Sequence, residues 1–161
     1  MVGIVEVQLT WLPWLLFVHV LSATVWLGGG LTLMVAGFRA RSSSRPEAVA
    51  EFAGTVPFVG LRVLMPSVVV LLLTGIWQVL ASSAWSFSQL WVRLALGLFV
   101  LAFLVGAVYL SRVGIGLARA TADKSLATEG TALLNRWLVG YVVVLALLVV
   151  AVWDMIFKPG L

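Results

Sequence analysis

The chain contains no cysteine and only one histidine among its 161 residues. Without cysteine it forms no disulfide, no iron–sulfur cluster, no covalently attached c-type haem and no zinc site with thiolate ligands. The single histidine, His19, is therefore the clearest candidate for chemistry, because an imidazole can bind a metal, relay a proton or accept a hydrogen bond. The sequence shows no Ser-His-Asp set, pair of carboxylates or phosphate-binding loop, and whether the protein is an enzyme stays open.

Charged residues are scarce as well. They make up 10% of the chain, whereas a soluble domain is about a quarter charged. Hydrophobic residues account for 63%, and the mean hydropathy is +1.17. Since too few polar residues remain to cover a soluble core, the composition predicts an integral membrane protein in contact with the lipid bilayer. The net charge of +4 does not indicate nucleic-acid binding, because the basic residues lie between apolar segments.

Four apolar segments are long enough to cross a bilayer, which takes ~20 helical residues. The predicted spans are residues 11–38, 62–81, 90–111 and 136–157. An even number of spans with a short second connection favours an all-α, antiparallel four-transmembrane-helix bundle. All 161 residues then form a single transmembrane domain.

A short interfacial helix is predicted between the first two spans. Ser44 and Glu47 have the spacing of a capping box, and Pro46 suits the first turn of a helix. Gly54 and Pro57 are predicted to end this helix before the second span begins.

Basic residues are concentrated in two of the three connections between spans. The first connection carries Arg39, Arg41, Arg45 and Arg62, and the third carries Arg112, Arg119, Lys124 and Arg136. Because basic loops stay on the cytoplasmic side, both connections are predicted to be cytoplasmic and both termini to lie outside.

His19 lies about eight residues into the first segment, roughly 12 Å along a helix from its outer end. At ~100° per residue, Ser22, Ala23 and Trp26 share its face. The small neighbours leave room for a flat cofactor or for a closely packed helix. Three interpretations stay open: a hydrogen bond to a neighbouring helix, a ligand to a cofactor or metal, and a proton relay.

Further polar residues come to a similar depth once the spans are antiparallel, namely Gln78, Arg93 and Asp154. Arg93 and Asp154 are predicted to form a structural ion pair that closes the outer end, because a lone carboxylate in lipid is costly. Alternatively, Arg93 holds an anionic group such as a haem propionate, or it snorkels to the interface. Met155 is the candidate second metal ligand beside His19.

Four motifs, in this order along the chain, resemble one known group of membrane proteins. They are His19, Ser22 and Trp26 followed by glycine, then Arg62, Pro66 and Thr74-Gly75, then Trp91-Val-Arg93-Leu, and finally Lys158-Pro159. The chain resembles bacterial four-helix proteins that include the J-type protoporphyrinogen oxidases, the copper-resistance D domain and an uncharacterised branch of predicted integral membrane proteins.

The resemblance implies a location in the bacterial cytoplasmic membrane and a haem b bound through His19, with the basic residue Arg93 close by. The candidate cofactor-binding residues are thus His19, Ser22, Trp26, Gln78 and Arg93. Arg93 stands where the oxidases have lysine, and their Asn-Glu pair early in the fourth helix is absent. In its length and in its Met155…Lys158-Pro159 ending, the chain is most similar to members of the uncharacterised branch.

Three functions are predicted as alternatives. The first is a b-type haem-binding redox or electron-transfer protein with His19 as axial ligand and a quinone or porphyrin as partner. The second is a copper-resistance-type transport or metal-handling module with His19 and Met155 as ligands. The third is a structural subunit of a homodimer or larger membrane complex, which the glycine-rich first helix favours.

Overall fold

The computed structural model describes residues 2–43, 45–123 and 127–161, and of residues 2–10, 127 and 128 it describes the backbone alone. Throughout these ranges the regular structure is helical, which confirms the predicted all-α class. The helices are α1 (Val2–Ser42), α2 (Pro46–Val59), α3 (Met65–Ala81), α4 (Leu90–Leu104), α5 (Ser111–Ala122) and α6 (Ala127–Phe157). Single π-helical turns, Gly60–Leu64 and Val105–Leu110, join α2 to α3 and α4 to α5.

These elements form four continuous helical rods. By length and apolar composition, each can cross a membrane over Trp11–Ser42, Pro46–Ala81, Leu90–Ala122 and Glu129–Phe157. Large apolar side chains cover much of the outer surface of every rod. Such a surface is soluble in lipid rather than in water, so the four predicted spans are confirmed as apolar helices.

The rods are antiparallel, as their contacts show. His19 of α1 meets Thr74 of α3, and farther along α1 Gly37 meets Phe52 of α2. Both chain ends and the 82–89 connection therefore lie at one end of the bundle, here named the terminal end. The opposite end, where α1 and α5 finish with Arg39, Arg41 and Arg119, is named the arginine end.

Helix packing gives the bundle an open side. The rod α2–α3 packs on α1, α1 packs on α6, and α6 packs on the rod α4–α5. Near the arginine end α2 also packs on α5, which closes the ring there. Between α3 and α4 no described residues bring their Cα atoms within 8 Å of each other, so the backbones of these two helices are not closely packed.

Gly54 and Pro57 do not end a helix, contrary to the prediction. Helix α2 runs through both residues and continues through the π-helical turn into α3. Proline lacks a backbone N–H, yet Pro57 lies inside α2, and the rod continues through the π-helical turn that follows. Ser44, the first residue of the predicted capping box, lies outside the described residues. The N-cap residue of α2 is Arg45, and its side chain makes no capping hydrogen bond.

The third and fourth rods are also longer than the predicted spans. Helix α5 continues to Ala122 despite its two glycines, and α6 begins at Ala127. The reason is tertiary packing, because α5 packs on α6 and Gly116 lies opposite Leu133, where an added Cβ would make ordinary contact at 3.5 Å. Packing between helices outweighs the low helix propensity of glycine.

Aromatic rings fill the core where α1, α2 and α6 meet. Trp137 lies edge-on to Phe52, with ring centroids 5.1 Å apart, and stacks on Tyr141 at 4.8 Å. The Tyr141 ring reaches the backbone of α1 only because residue 30 is glycine. A Cβ at Gly30 would lie 2.7 Å from the Tyr141 hydroxyl oxygen and 2.8 Å from Cε1.

We expect Gly30→Ala to destabilise the bundle by about 1–3 kcal/mol, because the added methyl group overpacks the Tyr141 ring. Thermal unfolding of the detergent-solubilised protein measures this change. Gly28→Ala is the matched control, since a Cβ at Gly28 meets nothing within 4 Å. Equal melting temperatures for the two variants would show that the close packing of Tyr141 on α1 is not present in the protein.

Candidate functional site

The imidazole of His19 is buried between α1 and α3. Its Nδ1 atom lies 3.0 Å from the hydroxyl oxygen of Thr74. The ring packs on the next residue, Gly75, where a Cβ would come within 3.0 Å of the imidazole Cε1. Helix α3 thus contacts the ring with the hydroxyl group of Thr74 and leaves room for it at Gly75, which has no side chain.

The hydroxyl of Thr74 determines which imidazole nitrogen carries the proton. Thr74 donates its single hydroxyl proton to the carbonyl of Val70, at 2.7 Å. The Thr74 oxygen is then the acceptor for Nδ1–H of His19. In the neutral imidazole this leaves a lone pair on Nε2. The contact with Thr74 does not use Nε2, so this nitrogen is the candidate ligand atom.

Ser22 and Trp26 share the buried face of α1 with His19, as the helical spacing predicted. Ser22 donates its hydroxyl proton to the carbonyl of Val18 at 2.8 Å, which leaves its oxygen as an acceptor only. Trp26 lies edge-on to Phe99 of α4, with ring centroids 5.7 Å apart. Trp26 therefore connects the His19 side of the bundle with the α4 side.

Gln78 is buried on α3, one turn nearer the terminal end than Thr74. Its side-chain Nε2 donates to the Thr74 carbonyl at 3.2 Å, so Gln78 bonds within its own helix. The predicted site omitted Thr74 itself. The signal was available, because His19 and Thr74 lie about two helical turns from the same end of antiparallel predicted spans.

The predicted ion pair between Arg93 and Asp154 is wrong. Asp154 is only 1% exposed, and neither carboxylate oxygen has a hydrogen-bond partner among the described residues. Arg93 is exposed in the first turn of α4, next to Trp91 and Val92, which face the core. The guanidinium thus lies on the outer face of α4, in agreement with the alternative that it snorkels to the interface.

Met155 is 38% exposed and follows the buried Asp154 directly, so it lies on the outer side of α6. His19, in contrast, has its hydrogen-bond partner on α3. Ligation of one metal by His19 and Met155 stays a prediction. Within the described ranges no group of three or more His, Cys, Asp or Glu side chains could hold a metal ion.

A cation–aromatic cluster closes the terminal end, and the sequence did not indicate it. The ammonium of Lys158 lies 5.0 Å from the ring centroid of Trp85 and 5.6 Å from that of Trp91. These two indole rings meet edge-on at 5.5 Å. The cluster joins the 82–89 connection and the start of α4 to Lys158, which follows α6 and is far away in sequence.

Residues 13–159 match a protein family described as "Predicted integral membrane protein (DUF2269)". The chain belongs to this family. The match includes His19, Thr74, Arg93 and Asp154, and it agrees with the four apolar rods. No curated protein and no solved structure matches the chain. Membership in the DUF2269 family establishes an integral membrane protein, whereas the relation to the protoporphyrinogen oxidases and copper-resistance proteins stays a prediction.

We expect Asp154→Asn to raise the free energy of unfolding by about 1–3 kcal/mol, because a buried carboxyl group without partners carries a desolvation cost. Asparagine keeps the size of the side chain but cannot ionise. Thermal unfolding in detergent measures the change, with Met155→Leu on the neighbouring exposed position as control. A lower melting temperature for Asp154→Asn would instead show that the carboxylate binds a cation or water in the membrane.

Proposed function

We propose that this DUF2269 protein binds a b-type haem within the membrane and that Nε2 of His19 is the axial ligand. One observation carries the proposal: the hydrogen bond from His19 Nδ1–H to Thr74, whose own proton is donated to Val70. Histidines that ligate metals typically donate the second ring N–H to a nearby oxygen, which fixes the tautomer and the ring orientation. Thr74 is that partner here.

The donor set favours a porphyrin over a bare metal ion. Copper and zinc sites draw most of their ligands from the protein. Within the described ranges His19 belongs to no group of three or more His, Cys, Asp or Glu side chains. A porphyrin supplies four nitrogen ligands itself, so one imidazole is enough for a five-coordinate iron. Copper handling by His19 and Met155 therefore has less support.

The other residues of the site would orient the group and exclude water. Trp26 and Gln78 are buried beside the α1–α3 interface, and Ser22 offers an acceptor oxygen. Arg93, exposed at the terminal end, would hold a propionate there. When bound, a haem supplies one-electron redox chemistry, and a membrane quinone or a porphyrin would be the partner.

The arrangement in the membrane is part of this proposal. Arginines at the ends of α1 and α5 support placing the arginine end at the cytoplasmic face of the bacterial inner membrane. The site around His19 would then lie in the outer half of the bilayer.

A structural role for His19 is the second candidate, and the same hydrogen bond to Thr74 favours it. Hydrogen bonds between helices stabilise membrane proteins by about 0.6 kcal/mol on average. In that case the protein is a packing subunit of a larger membrane complex. The two candidates differ in whether Nε2 of His19 binds iron.

We expect the purified protein to show a Soret band that shifts when dithionite is added, either as isolated or after haem is supplied. His19→Ala should abolish the band, since the porphyrin loses its axial ligand. Added imidazole should restore the band in His19→Ala, because the free ring refills the space left by the side chain.

The melting temperature of His19→Ala without haem is the control, as it separates ligand loss from unfolding. A wild-type protein that is colourless and takes up no added haem would refute haem binding and leave the structural role.

We expect Thr74→Val to lower the haem affinity about 10- to 100-fold, the usual effect of removing a partner that orients a ligating histidine. Thr74→Ser should keep the affinity, because serine retains the acceptor oxygen. Thr24→Val is the matched control, since Thr24 is exposed and bonds only to Val20 of its own helix. Haem titrations followed by absorbance compare the variants. Equal haem affinities for Thr74→Val and Thr24→Val would show that Thr74 does not orient the His19 ring for haem binding.

A further inference from the structure

An apolar cavity lies between the rods α2–α3 and α4–α5. Its volume is about 330 Å³. Both π-helical turns contribute to its wall, with Gly60 and Leu64 on one side and Gly106 on the other. Trp26 of α1 and Tyr141 of α6 lie at its base. Contact between α2 and α5 closes it toward the arginine end.

The backbone beside this cavity is shaped by the two π-helical turns. Such turns are rare and are frequent at functional sites, because each inserts an extra residue into a helix. Residues 60 and 106 in these turns are both glycine, and a Cβ at either position would meet nothing within 4 Å. The helices therefore leave space at the cavity that larger side chains would fill without a clash.

Two buried hydrogen-bond donors in the wall have no acceptor within the described part of the chain. Tyr141 is 5% exposed, and no hydrogen bond is formed by its hydroxyl group, which rests against Gly30. Trp137 is 1% exposed and its indole N–H is also unpartnered, beside Gly114, but that nitrogen is enclosed by protein and does not open on the cavity. An unpartnered donor costs free energy, so a ligand that offers an acceptor oxygen to the Tyr141 hydroxyl would be stabilised here.

The wall carries no charged residue. A phosphate headgroup, a carboxylate or an ammonium group would lose its hydration without compensation, so the occupant is neutral. The volume is at the lower end of the range for small-molecule sites, which suits one ring with the start of an apolar tail. The ring of Tyr141, which stacks on Trp137, forms part of the wall against which such a ring would pack.

We propose that this cavity binds the ring of a membrane quinone, one of whose carbonyl oxygens accepts a hydrogen bond from the Tyr141 hydroxyl. A lipid acyl chain would fill the space but leave that donor unpartnered. The apolar tail of the quinone would leave between α3 and α4, where no Cα atoms of the described residues come within 8 Å of each other.

The site lies close to the candidate haem ligand. Trp26 belongs both to the cavity and to the buried face of α1, two helical turns from His19. A quinone here would be the redox partner of the proposed haem. The role of the bound quinone therefore rests on the proposed function. Binding of the quinone itself can be measured without haem.

The test is a titration of the protein in nanodiscs with decyl-benzoquinone, followed by quenching of tryptophan fluorescence. Saturable quenching is expected, because Trp26 and Trp137 line the cavity. Gly106→Leu should weaken the apparent affinity about tenfold or more, since the leucine occupies the cavity. Gly97→Leu is the matched control, because residue 97 is equally open but lies outside the cavity wall.

A second pair of variants tests the hydrogen bond. Tyr141→Phe should weaken binding about threefold to tenfold, the usual effect of losing one hydrogen bond. Tyr109→Phe is the control, since Tyr109 is exposed and outside the wall. Non-saturable quenching, or equal affinities for Gly106→Leu and Gly97→Leu, would overturn the proposal. So would equally effective competition by decane, which shows a site for an acyl chain only.

His19→Ala separates this inference from the proposed function. The variant should keep saturable quinone binding, because His19 is not part of the cavity wall. Loss of quinone binding in the cavity variants but not in His19→Ala would support the cavity whatever the haem titrations show. Loss in His19→Ala alone would place the quinone at the imidazole and overturn the assignment.

Discussion

The constraint on which this structure depends is that hydrocarbon offers no hydrogen bonds to the backbone. Each N–H and C=O group within the bilayer must find its partner inside the chain. The continuous helices satisfy most of these backbone groups. Hydroxyl side chains give some of the carbonyl oxygens a further hydrogen bond. Ser22, Thr24 and Thr74 each donate to the carbonyl four residues earlier in the same helix. Since those protons are committed to the backbone, the hydroxyl oxygens can act only as acceptors, and this is what assigns the proton of His19 to Nδ1.

Without a hydrophobic driving force between helices, close approach has to supply the packing energy. In this chain that approach depends on glycines opposite large rings. Gly30 accommodates the Tyr141 ring, Gly37 accommodates Phe52, and Gly75 accommodates the imidazole of His19. The same arrangement, a glycine opposite a large ring, therefore packs the core and positions the candidate haem ligand His19. At Gly60 and Gly106, in contrast, no ring approaches, and the missing side chains leave a cavity instead.

The sequence predicted the fold class and the number of spans, because apolar length alone decides both. It also predicted the buried face that His19, Ser22 and Trp26 share, since helical periodicity is local. Where it failed, the cause was tertiary. Glycine and proline often end helices, so Pro57 was expected to end a helix that in fact continues. Charge and depth suggested that Arg93 pairs with Asp154, but the rotation of α4 about its axis places the guanidinium outside.

Among the described residues, buried polar atoms without a partner lie in several parts of the fold. They are the indole N–H of Trp137 in the core, the amide oxygen of Asn135 on α6, and, near the terminal end, the indole N–H of Trp91 and the carboxylate of Asp154. Ser22, Ser67 and Thr74, in contrast, bond to carbonyls of their own helices. Unpartnered polar groups in a low-dielectric interior are destabilising, and a chain so poor in polar residues has few that it must bury. The hydroxyl of Tyr141 lies in the wall of an open cavity, where a ligand would supply the acceptor that the packing of the helices does not.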